Sequence, residues 1–293
     1  MVLVLVAFSG VIASADTIFV SNDDAGTVSE FGPNAALINP SFASGLNSPR
    51  GLAFDSSGNL YVANLTTGTV SKFGPNGALL NASFASGLSS PYGLAFDGNG
   101  NLYAANGGAN TVSEFNSTGT LIRTLTSGLN GPIGLAFSGG NLYVANFDNG
   151  TVAQFSSNGT LLNASFASGL SNPTSLAFDH AGNLYVASAL DTVSEFSPTG
   201  TPVNRSFISS AFAVPFYGLA FDSGGNLWVT DQNDNDLSEY NSAGALIHYY
   251  TYPTVSGPEF IAIIPEPSAF ALLCLSLSTL LYVHRRLPPR ARR

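Results

Sequence analysis

The chain has 293 residues, of which 45% are hydrophobic and only 9% charged, against about 25% charged in a usual soluble domain. That apolar content supplies a core and excludes intrinsic disorder. Five of the nine basic residues (Arg285, Arg286, Arg290, Arg292 and Arg293) lie in the last nine positions. The stretch from Asp16 to Glu266 therefore sets four basic residues against 18 acidic ones, a net of −14. A body so poor in Lys and Arg cannot neutralise a phosphate backbone, which excludes nucleic-acid binding. The single cysteine, Cys274, falls in a C-terminal apolar run, so disulfides, thiolate catalysis and cysteine metal sites are excluded from the body.

Residues 1–15 open with an apolar stretch from Val2 to Ile12 and end in Ala13-Ser14-Ala15. An apolar run closed by a small-x-small site predicts a secretory signal peptide, although the basic flank that normally precedes one is missing.

From there the chain repeats. Pro49, Pro91, Pro132, Pro173, Pro215 and Pro258 are spaced 42, 41, 41, 42 and 43 apart. A unit such as PRGLAFDSSGNLYVAN, from Pro49 to Asn64, recurs behind them. A fixed period of about 40–50 residues holding four short apolar runs predicts the blades of a β-propeller. Proline, which lacks an N–H, suits the first residue of a strand. Gly-Leu-Ala-Phe is small and apolar, as an innermost strand near a crowded axis requires. Asp55, Gly58 and Asn59 mark a hairpin loop with glycine at positive φ. Asn-Leu-Tyr-Val-Ala and Thr-Val-Ser-Lys-Phe are the second and third strands, and the run ending Ser-Phe-Ala-Ser-Gly-Leu is the outermost.

The strand count closes a ring. Pro49 to Gly257 holds five full units, while residues 16–46 hold a second, third and fourth strand with no first. The missing strand is Pro258-Glu259-Phe260-Ile261-Ala262-Ile263 at the far end of the repeat region. The expected fold is all-β: one six-bladed propeller of four-stranded blades over residues 16–264, closed by pairing of N- and C-terminal strands. The unit P-x-G-L-A-F-D-x-x-G-N-L-Y-V-A resembles the NHL repeat, a motif specific for fold and weak for function.

After the repeats come residues 265–293. Pro265-Glu266-Pro267 precedes a charge-free run over residues 268–283, followed by a basic tail over 284–293. The run is just under the length of a spanning helix, and its arginine flank fits the positive-inside rule. Motif, hydrophobic segment and arginine cluster together resemble the PEP-CTERM sorting signal of Gram-negative bacteria. That resemblance implies an exosortase partner acting at the motif, a membrane-anchored intermediate, and export to the cell surface or exopolysaccharide matrix. A plain C-terminal membrane anchor is the simpler alternative.

Six-bladed propellers of this kind also resemble the gluconolactonase and senescence-marker family. Its enzymes hold a divalent metal at the central mouth through an asparagine in P-N-G, an aspartate ending an L-Y-x-x-D strand, and a glutamate. Here the residues after the prolines are Arg50, Tyr92, Ile133, Thr174, Phe216 and Glu259, none of them asparagine. Asp231 alone matches the aspartate position, which is Asn22, Asn64, Asn106, Asn146 or Ser188 in the other units. The streptogramin-lyase propellers are similar too but depend on histidine. His180, His248 and His284 fall in a hairpin loop, an outer strand and the C-terminal segment, away from the expected mouth. No catalytic set is assigned, and the expected function is a non-catalytic binding or structural component of the surface or matrix, with a metal-dependent lactonase as the alternative.

Topology places the loop between second and third strands on the face where the innermost strand starts. That face gathers Asp231, Asp234 and Asp236 in one blade and Asp23 and Asp24 in the next, with Glu259 and Arg50 beside them. Tyr92, Phe216 and Tyr217 are expected at the same mouth as a binding rim able to stack on a sugar ring. The clustered aspartates are candidates for Ca²⁺, and no other cofactor is expected for the binding function. The plain alternative is a solvated acidic rim with Glu259 paired to Arg50.

Overall fold

A computed structural model describes residues 16–190, 192–209, 215–231, 235–253 and 255–264. The signal segment, Asp234 and the whole of residues 265–293, with Pro265, Glu266 and Pro267, lie outside the described residues. No helix among the described residues is long and apolar enough to cross a membrane.

Among the described residues, 24 strands form six four-stranded antiparallel sheets, interrupted only by two single-turn 3-10 segments. The first blade joins Thr17–Asn22, Thr27–Phe31 and Leu37–Ser44 to the last strand, Pro258–Ile264, which lies innermost. Thr17 faces Ile264 and Asn22 faces Pro258 across that junction. The expected closure is therefore present, with the two ends of the propeller sharing one sheet. The second to sixth blades open with the inner strands Pro49–Phe54, Pro91–Phe96, Pro132–Ser138, Pro173–Phe178 and Phe216–Phe221.

The last of these corrects the sequence reading. Pro215 lies outside the strand, and Phe216 takes the proline's register, facing Asp231 as Pro49 faces Asn64. One extra residue between Pro215 and Gly218 shifts the frame, so Tyr217, not Phe216, is equivalent to Arg50 and Tyr92.

Each inner strand runs from an upper face, where the loops between second and third strands sit, to a lower face. Upper-face loops are tied to the residues just before the inner strands. Leu65 donates its N–H to Ser48 O, Gly107 to Ser90 O, Phe147 to Gly131 O, Ala189 to Asn172 O and Asp23 to Gly257 O, at 2.9–3.1 Å. On the lower face the hairpin after each inner strand is an aspartate-centred turn. Asp55 accepts from the Ser57 and Asn59 backbones, the Asn59 amide and the Tyr61 hydroxyl, and Gly58 takes φ +77°. Asp97 and Asp179 repeat the backbone part of this pattern, and Asp222 adds the Trp228 indole N–H.

The core is six apolar seams between neighbouring blades rather than one central mass. In the seam between second and third blades, Tyr61 stands edge-on to both Phe84 and Phe96 at 4.9 Å. Tyr185 repeats the arrangement with Phe207 and Phe221 three seams further on, and Tyr143 stands edge-on to Phe166. Such edge-to-face pairs add about 0.5–1.5 kcal/mol beyond burial. Two of the inner strands leave no room for a side chain near the axis: a Cβ on Gly51 or Gly93 would lie 2.3 Å from a carbonyl oxygen of the next blade. Ser175 and Phe260 occupy this position in the fifth and first blades.

Candidate functional site

The second residue of each inner strand sits at the upper end of the axis. Five of the six (Arg50, Tyr92, Ile133, Tyr217 and Glu259) line a single open cavity of 420 Å³. The sixth, Thr174, is buried and donates its hydroxyl to Phe216 O at 2.6 Å. The upper-face loops add Phe147, Asp148 and the glycines 107, 108 and 131 to the wall. A volume of this size falls within the range of about 300–1,000 Å³ typical of small-ligand pockets.

Of the expected rim, Arg50, Tyr92, Tyr217 and Glu259 come together at this mouth. Phe216 does not: at 3% exposure it packs in the seam between fifth and sixth blades with Tyr185 and Leu219. The register shift at Pro215 turns it inward and brings Tyr217 to the mouth.

Arg50 is the electrostatic centre of the site. Its guanidinium pairs with Glu259, whose side chain is 0% exposed, and reaches Asp23 Oδ2 at 2.8 Å. It also lies 5.8 Å from the centre of the Tyr92 ring, within cation–π range. Burial pushes the Tyr217 phenol above its ordinary range; the nearby Arg50 charge acts against that, while Tyr92 and Asp23 reinforce it. Tyr217 thus stays protonated at neutral pH and offers a hydroxyl donor into the cavity.

The described aspartates among these candidates do not gather at one point. Asp23 is drawn to Arg50, and Asp24, exposed on the loop, accepts from the Ser256 hydroxyl at 3.0 Å. Asp231 and Asp236 are buried within the sixth blade and do not line the cavity. No group of three His, Cys, Asp or Glu able to hold a metal gathers among the described residues.

Sequence reasoning missed two features. Asp148, in the loop position equivalent to Asp24, Thr66 and Gly108, puts an exposed carboxylate on the rim of the cavity. Comparing the six loops position by position would have found it. The other is the role of the asparagines ending the second strands. Asn64 is buried and donates to Ser71 Oγ at 2.9 Å and Thr69 Oγ1 at 3.3 Å, while its Oδ1 accepts from Asn47 N. Asn22 and Asn106 make the same side-chain bonds. All three pin the third strand, and Asn64 holds the incoming loop as well, a structural use of the position that holds metal in the gluconolactonase-like propellers.

A metal of that type does not fit this mouth. Its asparagine position holds Arg50, Tyr92, Ile133, Thr174, Tyr217 or Glu259, and the one matching aspartate, Asp231, is buried and does not line the cavity. Among the described residues no histidine lines the cavity; His248 is on an outer strand, 2.8 Å from Glu239.

The NHL repeat family matches residues 129–155. No curated protein matches the chain. Among solved structures, a nidogen/laminin complex superposes with TM-score 0.71 at 18% identity, covering 85% of this chain and 98% of that one. A catalytically inactive virginiamycin B lyase from Staphylococcus aureus with quinupristin gives TM-score 0.65 at 14% identity, over 89% and 90%. A gluconolactonase from Xanthomonas campestris gives 0.62 at 18%, over 75% and 84%. At these identities the likeness establishes the propeller fold and leaves the function open.

Proposed function

We propose that this protein is a non-catalytic binding propeller, exported and held at the cell surface, whose mouth takes a carbohydrate unit of an extracellular polysaccharide. One observation carries the reading: Tyr92 and Tyr217, from blades on opposite sides of the ring, line one cavity around an Arg50 fixed by Glu259 and Asp23. Aromatic faces suit the apolar face of a pyranose. The fixed guanidinium, the Tyr217 hydroxyl and Asp148 suit its hydroxyl groups. A second surface protein is the alternative partner. Sorting is proposed to run through Pro265-Glu266-Pro267 and the apolar run behind it, with an exosortase-type enzyme as partner.

Titration calorimetry of the purified protein with oligosaccharides released from bacterial exopolysaccharide tests the site. Tyr92→Ala and Tyr217→Ala are each expected to weaken binding at least tenfold. No heat with any such oligosaccharide overturns the carbohydrate reading. EDTA-sensitive lactone hydrolysis lost on Asp231→Ala replaces it with the lactonase alternative. Deleting residues 265–293 is expected to release the propeller into the medium, and unchanged surface retention would refute the sorting proposal.

A further inference from the structure

The outer strand of every blade starts at the lower face. In the second blade Leu79, at its beginning, faces Phe73, and Ser86, at its end, faces Thr69 beside the upper loop. The second residue of that strand is aliphatic in all six blades: Ile38, Leu80, Ile122, Leu162, Val203 and Ile247. All six are 40–60% exposed. Leu79, Leu121 and Leu246, one position earlier, are exposed as well. Single exposed aliphatics are ordinary. Recurrence at one height in six blades out of six makes a girdle around the lower rim, where edge strands are normally guarded by charge.

The chain leaves the propeller from this same face. Thr17 and Ile264 face each other at the lower end of the first blade, so the inner strand ends on the same face as the girdle. Only three residues separate Ile264 from the apolar run beginning at Ser268, a reach of about 10 Å when extended. Any apolar medium that takes up that run holds the lower rim close to itself.

We propose that the lower face of the propeller rests on a lipid bilayer, with the six aliphatic side chains of the girdle in the interfacial layer and the mouth turned outward. A lipid surface meets all six blades at once, whereas a 16-residue segment of the chain could cover only part of the ring. The acidic body, with a net of −14, selects zwitterionic lipid over anionic lipid. The inference concerns the face opposite the cavity and stands whether or not the mouth binds a sugar.

The test uses the full chain carrying Cys274→Ser and one introduced cysteine with an environment-sensitive fluorophore. Labels go at Ile38, Leu80, Ile122, Leu162, Val203 or Ile247, and at Thr66 on the upper face. With phosphatidylcholine vesicles, emission is expected to rise at least twofold at all six lower positions and to be quenched by spin-labelled lipid. It should stay unchanged at Thr66, and phosphatidylglycerol vesicles should give a smaller rise. Silence at the lower positions while the chain cosediments with vesicles overturns the proposal and leaves anchoring intact. A rise confined to one or two blades, or an equal rise at Thr66, also overturns it. So does a rise without vesicles accompanied by a doubled sedimentation mass, which would assign the girdle to a second copy.

Discussion

Asp231 and Asp236 stand directly opposite each other on the second and third strands of the sixth blade, both buried. In the other blades the same pair is Asn22–Thr27, Asn64–Thr69, Asn106–Thr111, Asn146–Thr151 and Ser188–Thr192. Five blades out of six place a neutral pair here, and two facing carboxyl groups cost more to bury than that pair. The double change Asp231→Asn with Asp236→Thr restores the neighbours' neutral pair. It is expected to raise the melting temperature at neutral pH, by roughly 2–4 °C for each kcal/mol gained in a body of this size. Thermal unfolding followed by circular dichroism checks this; an unchanged or lower midpoint would mean that the blade needs both carboxylates.

Crowding at the axis gives a second expectation. Gly93 has its would-be Cβ 2.3 Å from Ile133 O, so Gly93→Ala must push two inner strands apart. Overpacking of this kind costs about 1–3 kcal/mol. Gly98, with open space around it and no positive φ, is the control: Gly98→Ala should leave urea unfolding unchanged. Equal midpoints for the two variants would show that the inner strands can slide to make room.

Blade number, strand roles and ring closure were legible because each rests on a pattern written six times over. A period of alternating apolar runs fixes which face of each strand is buried, and a blade lacking its first strand can be completed only by a surplus one elsewhere. Single departures from the period were harder to read. The extra residue after Pro215 reverses which of Phe216 and Tyr217 faces the mouth, because side chains alternate along a strand. The surroundings of the clustered aspartates were hard to read for a related reason. Topology puts Asp23 and Asp231 on one face, but whether each points to solvent, to Arg50 or into its own blade depends on register and on partners from other blades.

The lower turns make stability depend on pH. Burial pushes the Asp55 carboxyl upward, yet hydrogen bonds from the Asn59 side chain and backbone, the Ser57 backbone and the Tyr61 hydroxyl outweigh it and hold its pKa below the ordinary 3.8. A carboxylate with a depressed folded pKa stabilises the fold above its unfolded value, and that contribution is lost as pH falls through the folded one. Asp55→Asn keeps an acceptor but carries no charge. It should be less stable than the parent at neutral pH, with the two converging as pH falls through the depressed Asp55 pKa. Chemical unfolding at a series of pH values measures this, and a gap that persists into strong acid would assign the loss to packing.

The ion cluster at the closure seam carries the largest expected effect. Arg50, from the second blade, holds both Glu259 on the C-terminal strand and Asp23 on the N-terminal loop. It therefore links the two parts of the chain that meet in the first blade. Glu259 is fully buried, so removing the guanidinium leaves a carboxylate in a low-dielectric site without its cationic partner, at a cost of about 3–5 kcal/mol. Arg50→Met should lower stability by that order, and adding Glu259→Gln should recover part of the loss, because the second change removes the stranded charge. A local signature is expected too. Amide exchange in Arg50→Met should quicken first in Thr17–Asn22 and Pro258–Ile264, the strands whose pairing closes the ring. If the two substitutions simply add in a double-mutant cycle, Arg50 and Glu259 are not energetically coupled, and closure then rests on the strand pairing and the apolar seams alone.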